Sequence, residues 1–70
     1  MTYEEYVATL TMKGLKKELA NVKKYLAKAY ERKNNPMYHK YIQYQIHTDS
    51  YIYELESSEE ILEKAIKSRK

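Results

Sequence analysis

The sequence predicts an all-α fold: an antiparallel helical hairpin of two long helices, preceded by a short helix and dimerising into a helical bundle. Three observations predict it. The 70 residues include only one Gly and one Pro, so the chain has few natural turns. Its apolar residues recur in steps of three and four, the period of a helix buried along one stripe. The clearest punctuation, Lys33, Asn34, Asn35 and Pro36, falls near the middle and leaves a long helical pattern on each side.

Thr2 followed by Glu5 has the spacing of a capping box, which places a short helix at about 3–10. Tyr3, Tyr6, Val7 and Leu10 form its apolar stripe. The next stripe runs through Met12, Leu15, Leu19, Val22, Leu26 and Tyr30, with Ala29 beside it. A single straight helix would point the two stripes in roughly opposite directions. The phase change favours a break between Thr9 and Gly14, where Thr11 can cap a new helix and Gly14 lowers helix propensity. The first long helix is therefore expected at about 12–33, the alternative being one bent helix over 3–33.

Asn tolerates a helix end, and Pro both stops one helix and opens the next in its first turn. The turn is expected at 34–36 and the second long helix at about 37–67, all within a single domain spanning 1–70. In that helix Tyr41, Tyr44, Thr48, Tyr51, Leu55, Ser58, Leu62 and Ala65 form a heptad seam, widened by Ile52 and Ile66. A turn at 34–36 sets Leu26 against Tyr44, Val22 against Thr48, Leu19 against Tyr51, and Leu15 against Leu55. Tyr38, Ile42, Ile46 and Tyr53 lie on roughly the opposite side, which a single partner helix leaves uncovered. They are the expected protein interface.

Charge is distributed unevenly beneath a modest net +3. From Lys13 to Lys40 there are nine Lys or Arg against Glu18 and Glu31; from Tyr41 to Glu63 there are six acidic residues and no Lys or Arg. Lys13, Lys16 and Lys17 are expected beside Glu54 to Glu60, as flanking charges that set register. Lys23, Lys24, Lys28, Arg32, Lys33 and Lys40 are left uncompensated at the turn end, among tyrosines. They are the candidate contacts to an acidic partner or to nucleic acid phosphates.

All nine aromatic residues are tyrosine, which suits half-buried and interfacial positions better than a dry core. The lack of cysteine excludes disulfides and thiolate metal sites and favours a cytoplasmic setting. The apolar runs are too short to span a membrane, and the N-terminus lacks the layout of a secretory signal. Glu56, Glu59, Glu60 and Glu63 have helical spacing, but His39 and His47 do not follow a Glu at the spacing of a carboxylate-bridged metal site. Ser50, Ser57, Ser58 and Ser68 lie in no recognisable nucleophile motif. No cofactor or metal is expected.

These patterns point to a non-enzymatic helical protein–protein interaction module, a small regulator or inhibitor that occupies a partner surface. Its expected partners are a second copy, forming a homodimer, and a further protein. The alternative is a small basic nucleic-acid-binding protein using the Lys- and Tyr-rich turn end, with Tyr30 or Tyr38 as stacking platforms.

Overall fold

The structure, a computed structural model, describes residues 1–69. It is all-α, with no strand among the described residues. The helices are α1 (Tyr3–Ala8), α2 (Met12–Glu31), α3 (Pro36–Lys40) and α4 (Ile42–Ser68), with a short 3-10 turn over Arg32–Asn34.

Local side chains explain three of the four starts. The Thr2 hydroxyl accepts from Glu5 N at 3.1 Å and opens α1. Thr11 does the same for α2, accepting from Gly14 N at 3.1 Å. Asn35 Oδ1 accepts from Met37 N at 2.9 Å and opens α3, with Pro36 in the first turn. Each acceptor satisfies an amide that the helix itself leaves unpaired. The chain between Ala8 and Met12 is non-helical, so a single bent helix over 3–33 does not form.

The second long helix is not continuous. Tyr41 lies outside the helical region, at φ −117° and ψ 119°. Its N–H closes α3 on Met37 O at 2.9 Å, and its carbonyl opens α4 by accepting from Gln45 N at 3.1 Å. No Gly or Pro forces this break. Packing does: α3 lies against α4, and Tyr38 Oη donates to Asp49 Oδ1 at 2.8 Å. An unbroken helix would hold those two residues about 16 Å apart along its axis. Intrinsic propensity is a weak preference that such tertiary contacts override.

The break also moves the reversal of the chain. Contacts descend α2 as they climb α4: the Arg32 guanidinium lies 5.3 Å from the Tyr51 ring centre, and Lys23, Leu26 and Tyr30 share a groove with Glu59. Arg69, just past α4, donates to the carbonyls of Leu10 and Ala8. The two long helices therefore run in opposite directions, but the register differs from the one expected for a turn at 34–36. That turn would place Leu26 beside Tyr44, about four helical turns from where it lies. With the reversal at Tyr41, the segment Arg32–Lys40 lengthens the first arm, and every pairing slides along α4.

One cluster forms the core: Val7 from α1; Leu15, Val22, Leu26 and Ala29 from α2; Ile52 and Leu62 from α4. Val7, Leu15, Leu62 and Thr48 are the most enclosed of the larger side chains. Burying a leucine of this kind contributes about 2 kcal/mol. Leu19, Tyr51, Leu55, Ala65 and Ile66 pack around the cluster half-buried, whereas Tyr41, expected in the seam, is exposed at the reversal. The Cα envelope measures 44 × 21 × 14 Å. That is two helices wide and little more than one deep, so among the described residues only α3 borders the outer side of α4, at Asp49.

α4 begins without a side-chain cap, since Tyr41 offers its first turn no acceptor. Tyr41→Asp supplies one and is expected to raise stability by about 1 kcal/mol, or roughly 4–8 °C in Tm for a domain of this size. Thermal unfolding followed by circular dichroism measures it. A fall in Tm would indicate that residue 41 sits inside a continuous helix, where Asp is unfavourable.

Candidate protein-interaction face

α4 has two sides of different character. The side toward α2 carries Thr48, Ile52 and Leu62, all buried. The opposite side carries Ile42, Ile46 and Tyr53, which are 71%, 55% and 74% exposed. Positions 42, 46, 49 and 53 are separated by four, three and four residues, so they form one straight stripe. Large apolar groups at such exposure on one helix face are uncommon unless something covers them. Met37 and Tyr41, at the α3 end of the molecule, are also exposed.

Tyr38 is placed differently from the other three. It is half-buried, with its ring edge-on to His39 at 5.3 Å between centres and its hydroxyl on Asp49. It borders the stripe and satisfies the one carboxylate within its apolar half. Sequence reasoning missed Asp49 as part of this face. The signal was its spacing of seven from Ile42, but the partnership with Tyr38 depends on the break at Tyr41.

Beyond Tyr53 the same side of α4 turns acidic. Tyr53, Glu56, Ser57, Glu59, Glu60 and Glu63 line an open groove. Lys64 pairs with Glu60 at 3.0 Å in an exposed i,i+4 bridge, the kind worth little to stability. The stripe is therefore apolar next to the reversal and anionic toward the middle of α4.

The six basic candidates are spread over α2, the 3-10 turn and α3. Lys24 and Lys28 are exposed on the outer side of α2, in line with Lys13 and Lys17 at helical spacing. Lys23 shares its groove with Glu59. Arg32 stacks on Tyr51, Lys33 lies 5.9 Å from the Tyr30 ring centre and Lys40 lies 5.5 Å from that of Tyr41. Three of the six cations thus sit over the chain's own tyrosines. Of the two candidate stacking platforms, Tyr30 is capped by Lys33 and Tyr38 is held by Asp49.

Two tyrosines have phenols raised above the ordinary value of 10.0. For Tyr30 the causes are partial desolvation, then the Glu56 and Glu59 carboxylates. For Tyr3 they are burial and then the Glu18 carboxylate, with the Ser58 hydroxyl opposing. Tyr3 Oη is enclosed, with Ser58 nearby but outside hydrogen-bond geometry. No group of three or more His, Cys, Asp or Glu side chains is arranged to hold a metal ion among the described residues. Nor is any helix among them long and apolar enough to cross a membrane. No protein-family model, curated protein or solved structure matches the chain.

An enclosed, unpartnered hydroxyl is unfavourable, and removing it relieves the penalty. Tyr3→Phe is expected to raise stability at neutral pH by roughly 1 kcal/mol. A raised phenol also favours the folded state while protonated, an advantage present below pH 10 and lost as pH rises through the folded-state value. Urea unfolding at pH 8 and above pH 10 is therefore expected to show a smaller alkaline loss of stability in Tyr3→Phe than in the parent. An equal or larger loss would place the alkaline sensitivity elsewhere.

Proposed function

We propose that this chain is a non-enzymatic helical interaction module, an antiparallel hairpin of α2 and α4 that works by occupying an apolar protein surface with the outer side of α4. A second copy of the chain is one such surface. A small regulator or inhibitor of this kind needs no catalytic step; it acts by covering what it binds.

The exposure of Ile42, Ile46 and Tyr53 carries this reading. Each belongs to a residue type that ordinarily contributes to a core or an interface. They lie along a helix whose other side already supplies the core with Ile52 and Leu62. The hairpin is too thin to fold a second layer over them. Covering them is favoured by about 25 cal/mol for each Å² of apolar surface removed from water. Tyr53 adds a rigid ring with a hydroxyl that stays useful at a wet boundary. Arg32, Lys33 and Lys40 lean on the chain's own tyrosines, which favours this apolar stripe as the contact surface.

Ile46→Asp tests the reading directly. Ile46 lies outside the core, so its replacement is expected to shift stability by no more than about 0.5 kcal/mol. Binding of an apolar-surface dye and association with protein partners are expected to fall at least tenfold. Unfolding of Ile46→Asp would place Ile46 in the core, and unchanged dye binding would show that the stripe is not the apolar contact surface. Either result sinks the proposal.

A further inference from the structure

We infer that the outer face of α2 is a second contact surface, a lysine ridge that lies across a groove of duplex DNA and holds the phosphates on both walls. It belongs to a different helix from the α4 stripe and does not rest on the interaction reading above.

Lys13, Lys17, Lys24 and Lys28 are all exposed. At roughly 100° per residue they fall within about 60° of the α2 circumference, on the side away from the buried Leu15, Val22 and Leu26. Their charges are unanswered. The ion pair among the described residues joins Lys64 to Glu60. The grooves that hold Glu56, Glu59, Glu60 and Glu63 are lined by Tyr53 and Lys23 rather than by these four lysines. Of the two carboxylates of α2, Glu18 is turned toward Tyr3, and Glu31 falls at the end of the face, just past Lys28. Arg32, Lys33 and Lys40, by contrast, lie over tyrosine rings.

Spacing identifies the occupant. The lysines come as two pairs, Lys13 with Lys17 and Lys24 with Lys28, whose centres are about 16 Å apart along the helix axis. The major groove of B-form DNA is about 12 Å across, with a phosphate backbone on each wall. A helix laid across it puts one pair on each wall, and the flexible lysine stems take up the difference. Between the pairs the same face presents Ala20 and Asn21, both exposed and short enough to let the helix approach. Tyr25, exposed on the flank beside Asn21 and Lys28, offers a hydroxyl to the same backbone. Lysine is a point charge without the bidentate fork of arginine, so the contact follows phosphate spacing rather than base sequence.

Other anionic surfaces fit less well. A protein interface has an apolar centre, and between Lys13 and Lys28 this face offers only Ala20. An anionic bilayer holds a helix by an apolar side sunk among the headgroups, and the apolar side of α2 is already packed into the core. Phosphate contact needs neither. Its drive is the release of counterions condensed on the duplex.

Fluorescence anisotropy of a labelled DNA duplex, titrated with the full chain over a salt series, tests the ridge. With four phosphates neutralised, log affinity is expected to fall against log salt with a slope of about −3.6, a roughly hundredfold loss between about 50 and 200 mM. Lys13→Gln, Lys17→Gln, Lys24→Gln and Lys28→Gln are each expected to reduce that slope by about 1. Lys40→Gln and Lys67→Gln are expected to leave it unchanged, as is Lys24→Arg, which keeps the charge. Every replaced side chain is exposed, so circular dichroism is expected to match wild type throughout. No complex at low salt with the chain in the micromolar range would overturn the proposal. So would a slope indifferent to the four lysines, or one lowered as much by Lys40→Gln, Lys67→Gln or Lys24→Arg. A single strand bound as tightly as the duplex would overturn the groove geometry. Vesicles of anionic lipid, or polyglutamate, held at a salt concentration that releases the duplex would overturn it in favour of a membrane or an acidic protein.

Discussion

A single seam between two long helices carries this structure, and the rest follows from its being only one layer deep. α2 spends one side on α4, and α4 spends one side on α2; among the described residues α1 and α3 are too short to cover what remains. α1 adds a third helix at one end, where Val7 joins Leu15 and Leu62 in the core cluster. At the other end α3 has five residues, enough to border α4 but not to wrap it. A chain of this size buries a smaller fraction of its surface than a larger domain does. The outer stripe of α4 is the part left over.

How much of this is legible in the sequence depends on how far apart the causes lie. The caps at Thr2, Thr11 and Asn35 act over two or three residues, so spacing alone identifies them. The shared direction of Ile42, Ile46 and Tyr53 is likewise a local property of helical geometry. The break at Tyr41 is not. It goes with the packing of α3 against α4, where Tyr38 bonds Asp49 eleven residues away, and no residue type at position 41 announces it. The register error follows from the same cause, because the chain reverses later than the Asn and Pro cluster implies. Asp49 belongs to the candidate face for a reason visible only once α3 has folded against α4.

The exclusive use of tyrosine fits an architecture with little dry interior. A phenol can lay its ring against a half-covered seam and leave its oxygen in water, as Tyr51 and Tyr44 do at intermediate exposure. It can also hold a cation, as the rings of Tyr30, Tyr41 and Tyr51 do. Tyr3 shows the limit of the strategy, since its oxygen has been carried inside without a partner. Phenylalanine would be the better residue there, whereas at Tyr38 it would leave Asp49 without its donor.

The grip of Arg69 on the end of α1 has a kinetic meaning. It joins residues 59 and 61 positions apart in the chain, whereas most contacts along α2 and α4 join turns of the same helix. Closing so long a loop carries a larger entropy loss than zipping the two arms together from Tyr41 outward. The bonds that close it lie at the surface, open to competition from water. Loop-closure entropy therefore favours assembly of the arms before α1 docks. By the same reasoning α1 is the first element expected to leave when the protein breathes, carrying Val7 out and opening a path to Leu15 and Leu62 while the seam nearer Tyr41 stays closed.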